Sequence, residues 1–149
     1  MFYFAYGSNM NSDLMLERAV PFRNRSFALL KDFSLRFNKI SVRYPGSGVA
    51  NIVPKKGAIV EGILYDIDTE GLQNLNYYEG VPDEYYQAEV VLIVNSDKVE
   101  AITFIANNNR VDNNLQPSEN YVNHLLKADG LLSESYLLNI KRYKTFDDI

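Results

Sequence analysis

Short apolar and aromatic runs, broken by Gly, Pro, Asn and Asp, fill the first two thirds of the chain, and helical spacing dominates its end. FYFAY (2–6) reads as a buried strand that stops abruptly at Gly7-Ser8-Asn9. NSDLMLERA (11–19) reads as a short helix capped by Asn11 or Ser12, with Pro21 beyond its end. SFALL (26–30) and FSLRFNK (33–39) read as two strands flanking Lys31-Asp32, and SVRYPGSG (41–48) as a loop. VANIVP (49–54) and AIVEGILYDI (58–67) are strand-like, and Gly62 inside the second predicts a bulge or a close backbone approach. TEGLQNLNYYEG (69–80) has the pattern of a helix starting at Asp68 or Thr69 and ending at Gly80. Strands over 85–94 and 99–106 follow, joined by an Asn-Ser-Asp-Lys turn, and 107–116 is a polar loop. A helix over 117–129 takes Pro117 as its first residue, another covers roughly 133–143, and KTFDDI is expected to be a loose tail.

Strands first and helices last is the order of an α+β domain. Six or seven short, richly apolar strands in 149 residues suit a small closed or half-closed β-barrel flanked by short helices. Without repeat, low-complexity tract or linker, residues 1–149 are expected to form a single domain.

One helix carries a residue its pattern does not want. The apolar stripe Leu72, Leu75 continues onto Glu79, so the core-facing register ends in a carboxylate at the negative end of the helix dipole. Both effects disfavour charge, which predicts a raised pKa and a group able to take and return a proton near neutrality. The alternative is a rim glutamate reaching into water. Asp83 and Glu84 follow Pro82 in a turn and are expected to be solvated.

The strand–turn–helix at Gly7-Ser8-Asn9 is a place where backbone N–H groups can converge on an anion or carbonyl oxygen, or it is a plain connection. Ser8 as a nucleophile finds little support. Tyr-Gly-Ser-Asn-Met lacks the second glycine of a nucleophile elbow, and the only histidine, His124, sits within a predicted helix.

Composition removes other chemistries. With no cysteine and one histidine, disulfides, thiolate catalysis and multi-histidine metal sites are excluded. A net charge of −4 without a basic cluster argues against nucleic acid or an anionic membrane surface as partner. Without an apolar span or secretion signal, the expectation is a soluble, cytoplasmic protein. Eleven Tyr and eight Phe are the unusual feature, and phenols suit barrel walls and small-molecule pockets.

FAYGSNMN (4–11), DFSLRFNK (32–39), GVANIVP (48–54), VEGILYDI (60–67), YYEGVPDEYY (77–86) and PSENYVNHLLKADGLLSESY (117–136) together resemble the gamma-glutamylcyclotransferase-like family, in the family's order and over nearly the whole chain. The resemblance implies a compact fold with a small β-barrel and a pocket between the first loop and the middle helix. It implies that Tyr6, Gly7, Ser8 and Asn9 hold the glutamyl part of a substrate, chiefly through the backbone, and that Glu79 is the catalytic acid/base. The family reaction cleaves a γ-glutamyl amide by internal cyclisation, giving 5-oxoproline and a free amine, with no metal or organic cofactor. Tyr86 shares a strand face with Ala88 and Val90, so its ring lines either the pocket or the barrel wall. Gly130-Leu131-Leu132 departs from the Gly-Leu-Pro frequent in the family, and Asn107-Asn108-Asn109 stands where some members have a tyrosine. That loop borders the leaving-amine side in this reading, so the amine is left open. A non-catalytic module binding a small carboxylate metabolite is the competing expectation. A two-carboxylate hydrolase needs a second acid within about 5–10 Å of Glu79.

Overall fold

The computed structural model describes residues 1–148, apart from the Asp148 side chain. Five strands, β1 (Phe2–Ala5), β2 (Arg25–Ile40), β3 (Gly48–Asp66), β4 (Tyr85–Val94) and β5 (Asp97–Ala106), close into a barrel in the order β1-β3-β2-β4-β5. All neighbours are antiparallel except β1 and β5, which meet in parallel at Tyr3 and Ile102. Four α-helices among the described residues surround it: α1 (Ser12–Glu17), α2 (Thr69–Tyr78), α3 (Glu119–Leu126) and α4 (Glu134–Lys141). None of the helices among the described residues is long and apolar enough to cross a membrane.

Two pairs of expected strands are each one strand. β2 runs through Lys31-Asp32 and β3 through Lys55-Lys56-Gly57. Pairing jumps there from Lys31↔Ile59 to Phe33↔Pro54, so the extra residues bulge outward and both strands bend together. Asp32 has φ 63°, and its carboxylate accepts a hydrogen bond from the Gly57 N–H at 2.9 Å. The polar residues that read as turns mark an exposed barrel corner that bends the ladder without ending it.

The other elements follow their local chemistry. Asn11, Asp68, Ser118 and Ser133 cap α1 to α4 with side-chain oxygens. Pro117 therefore precedes the cap instead of opening α3, which ends at Leu126, earlier than the apolar pattern predicted. The β4–β5 hairpin turns on Asn95-Ser96, both at positive φ, tighter than the four-residue turn expected. The tail is not loose over its described part: Thr145 is buried and the Phe146 N–H bonds to the Pro117 carbonyl at 2.7 Å. Ile149 lies outside the described residues.

Gly62 marks a close approach. A Cβ there would lie 2.4 Å from the Ala5 carbonyl oxygen and 2.5 Å from the Phe4 ring. Fully enclosed Phe4, Ala28, Val60, Ile63, Tyr65 and Leu92 fasten β1 into this core, immediately before the Gly7–Asn9 loop.

Candidate active site

After Ala5 the chain leaves the barrel, and Ser8–Met10 form one turn of 3₁₀ helix against which α3 packs. The Tyr6 hydroxyl bonds to the Phe104 carbonyl on β5. Tyr65 on β3 donates to the Asn9 carbonyl at 2.7 Å. From α3, the Tyr121 oxygen accepts the Ala50 N–H at 3.0 Å and lies where a Cβ on Gly7 would be only 2.8 Å away. Tyr85 on β4 donates to the Ala50 carbonyl at 2.7 Å. Much of the tyrosine content is thus internal strutting: each phenol buries its ring and anchors one main-chain group around the loop. Tyr65→Phe is expected to leave the buried Asn9 carbonyl without its short partner. That should cost about 1–3 kcal/mol, read as a lowered denaturation midpoint; unchanged stability would show the strut to be dispensable.

Across the loop, α2 ends at Glu79, followed by Gly80 at φ 63°. Glu79 Oε1 accepts from Asn9 Nδ2 at 3.2 Å. The same amide nitrogen donates to the Tyr3 hydroxyl at 3.0 Å, and Asn9 Oδ1 accepts from Arg18 Nη1 at 2.8 Å. Arg18 has only donors to offer, so it fixes which way the amide faces and presents the Asn9 NH₂ to the carboxylate. The sequence pointed to the backbone of this loop; the buried Asn9 side chain is its polar hub.

Burial pushes the Glu79 carboxyl up to about 7, against the opposing pull of Arg18 and Lys39. Glu79 is half-buried and lines a cavity that Tyr3, Tyr6, Tyr85 and Tyr121 also face. Burial raises the Tyr3, Tyr6 and Tyr85 phenols well above their usual value and Tyr121 to about 12, so all four stay protonated near neutrality. Together these groups wall a cavity of about 520 Å³, the size of a small-metabolite site.

The structure brings Tyr6, Gly7, Ser8, Asn9 and Glu79 to one cavity but leaves Tyr86 out. Tyr86 is 43% exposed, on the strand face whose deeper members Val90 and Leu92 are buried; Tyr85, one residue earlier, faces the cavity. Both faces of β4 carry apolar residues, so alternation alone selected the wrong tyrosine. Glu84 is also not simply solvated: its Oε1 pairs with Lys39 Nζ at 2.6 Å and Arg110 Nε at 2.8 Å. Burial works to raise its pKa, but those two hydrogen bonds prevail and hold it low. It is a fixed anion and a poor partner for two-carboxylate hydrolysis, although it lines the same cavity. His124 Nδ1 is occupied by Asn11 Nδ2 at 3.0 Å, and no hydrogen bond joins it to Ser8 among the described residues. Among those residues, no three His, Cys, Asp or Glu side chains converge as a metal-ligand set.

Sequence reasoning missed Arg18, Lys39 and Tyr121 as pocket residues. Tyr121 had a signal, since it ends the Pro-Ser-x-x-Tyr stretch. Arg18 and Lys39 had none, because their roles depend on contacts across the fold.

A closed barrel sets one carboxyl of near-neutral pKa beside a strutted main-chain loop, in a cavity of small-metabolite size. The model of the family described as Gamma-glutamyl cyclotransferase, AIG2-like matches residues 3–123, and the chain belongs to that family. Among solved structures, a gamma-glutamyl cyclotransferase aligns at TM-score 0.87 and 25% identity, covering 99% of this chain and 89% of its own. An uncharacterised protein from Homo sapiens aligns at TM-score 0.86 and 25% identity, over 98% and 89% of the two chains. YkqA from Bacillus subtilis aligns at TM-score 0.84 and 26% identity, over 95% of this chain but 53% of its own. No curated protein matches the chain.

Proposed function

We propose that the protein is a γ-glutamyl cyclotransferase in which Glu79 is the acid/base and the Tyr6–Asn9 loop holds the glutamyl moiety. The observation that carries this reading is the Glu79 carboxyl, held near neutral pKa by burial and hydrogen-bonded at 3.2 Å to the loop residue Asn9.

In this mechanism the substrate's own α-nitrogen is the nucleophile. Glu79 takes a proton from the α-ammonium, and the freed amine attacks the γ-carbonyl carbon. A bond from the α-nitrogen to that carbon closes the five-membered lactam, the bond to the departing nitrogen breaks, and Glu79 returns its proton to that nitrogen; the second proton that the α-nitrogen sheds on becoming the lactam N–H ends on the departing amine, which leaves as its ammonium form. The products are 5-oxoproline and a free amine, with no net oxidation. Holding the flexible glutamyl chain folded turns cyclisation into a near-attack event, a contribution that reaches roughly 7–11 kcal/mol in well-oriented systems. Backbone N–H groups of the loop, kept in place by the tyrosine struts, bind the glutamyl carboxylate or the developing oxyanion.

The test is a panel of γ-glutamyl amino acids and γ-glutamyl amines assayed for 5-oxoproline. Release from at least one supports the reading; tight binding by calorimetry without release from any would leave a binding module. Because Glu79 must be ionised to take the first proton, kcat/KM is expected to rise with pH through about 7 and then level off. A profile flat between pH 5.5 and 8.5 (roughly the span around a neutral pKa) would remove Glu79 from the proton-transfer role.

A further inference from the structure

One wall of the cavity is backed by a charged cluster to which the proposed chemistry gives no contact with substrate. Lys39, near the end of β2, is 2% exposed and contributes to the cavity wall. Lysine is almost never buried this completely unless paired, and its pairing here is incomplete. Its ammonium has three N–H donors, and its hydrogen bond goes to Glu84 Oε1, with the Tyr85 ring centroid 5.1 Å from Nζ. Glu84 Oε1 also accepts Arg110 Nε, so two cations share one carboxylate oxygen, and the further anion that acts on Lys39 is Glu79, which makes no hydrogen bond to it. Burial pulls the Lys39 ammonium down from its usual value, against the hydrogen bond to Glu84.

The cluster is built into the fold. Val111 bridges to Lys39, the Asp112 N–H bonds to the Asn38 carbonyl at 2.8 Å, and the Asn107 N–H bonds to the Glu84 carbonyl at 3.0 Å. The segment carrying Arg110 is therefore tied to β2 on one side and to the start of β4 on the other. Arg110 stands behind the wall, and the two arginines that do line the cavity are placed differently: Arg18 is committed to Asn9 and lies over Tyr78, and Arg43 is exposed on the 41–47 loop.

We propose that Lys39, backed by Glu84 and Arg110, is a subsite for a second carboxylate carried by the leaving amine, so that the protein selects γ-glutamyl amino acids over γ-glutamyl amines lacking an acid group. This rests on the cyclotransferase reading, which assigns the glutamyl end to the loop after β1. The cluster comes from β2, the residue before β4 and the 107–113 segment, none of which carries that loop. An incoming carboxylate meets a desolvated ammonium with spare donors, a setting in which charge-assisted hydrogen bonds are short and strong.

γ-Glutamyl-alanine and γ-glutamyl-ethylamine differ only by the carboxylate on the leaving group, and comparing their kcat/KM values tests the subsite. The wild-type ratio is expected to favour the alanine compound by about tenfold or more, as a charge-assisted contact gives. Lys39→Met should bring that ratio close to unity. Arg110→Gln, on a half-buried turn away from the core, should lower it in part and serves should Lys39→Met fail to fold. Equal wild-type rates would overturn the proposal, as would a ratio untouched by both variants. An equal loss on both substrates in Lys39→Met would mean that Lys39 acts through Glu79 or on the glutamyl half, and would likewise overturn the subsite. Calorimetry of the same two compounds on Glu79→Gln protein separates the subsite from the chemistry. Tighter binding of the alanine compound there, without turnover by wild type, would sustain the carboxylate subsite while the cyclotransferase reading fell; equal affinities would sink the subsite alone.

Discussion

Glu79→Gln is expected to lower kcat/KM for a γ-glutamyl substrate by about 10²–10⁴-fold, the range for losing a positioned general acid/base. The glutamine keeps the size of the side chain and a carbonyl oxygen for the Asn9 NH₂, so the cavity should stay intact. Stability should move the other way. The native carboxyl titrates near 7, whereas its ordinary value is 4.5, so between those pH values the folded protein binds the proton more tightly than the unfolded chain does. Wild-type stability therefore falls as pH rises from about 4.5 to 7, and the penalty is fully present above 7. Glu79→Gln removes it and should be the more stable protein at pH 8 by up to about 3 kcal/mol, with the difference vanishing below pH 4.5. Denaturant titrations of both proteins at pH 4 and pH 8 measure this directly. A variant that is inactive yet no more stable at pH 8 would mean that the wild-type carboxyl is not under strain from burial.

Gly62→Ala should be among the most damaging single methyls in the barrel wall. The added carbon would lie 2.4 Å from the Ala5 carbonyl oxygen and 2.5–2.7 Å from Phe4 ring atoms, with no flexible side-chain end to give way. Overpacking of this kind typically costs about 1–3 kcal/mol and occasionally more. The clash pushes on Ala5, two residues before Gly7, so the displacement reaches the loop that faces Glu79. A shift near 1 Å in a positioning element can cost about 10²-fold in rate, so activity should fall further than the lost stability alone explains. Melting curves and kcat/KM on the folded fraction check both parts. Full specific activity in a destabilised protein would separate the barrel wall from the site.

Glu79 and Gly62 were both legible in the sequence because each breaks the pattern around it: a carboxylate on an apolar stripe, and a glycine inside an apolar strand. The loop Gly7-Ser8-Asn9 was visible as the abrupt end of an aromatic run. Features that obey the local pattern were harder to read. Tyr85 and Tyr86 are adjacent tyrosines on a strand with apolar residues on both faces, so alternation did not identify the inward one. Lys39 looked like the polar end of FSLRFNK, yet the barrel buries it, because Glu84, Arg110 and Val111 meet it from 45 to 72 residues away along the chain. The bends at Asp32 and Gly57 were taken for turns since a bulge and a strand end draw on the same residues. Such long-range contacts have no local signature in a single sequence.

The place of β1 in the barrel also bears on the order in which the molecule is assembled. β1 is made before its neighbours at residues 63–66 and Ile102, so neither exists when it leaves the ribosome. The parallel seam with β5 is a contact of high sequence separation, whose chain-closure entropy is met before any pairing rewards it. The loop after β1 takes its struts from Tyr65 and Tyr121, and Tyr6 beside it bonds to Phe104. The cavity-facing loop is therefore among the last parts of the nascent chain to become native, and on the proposed reading turnover of a γ-glutamyl substrate should serve as a sensitive reporter of a fully shut barrel.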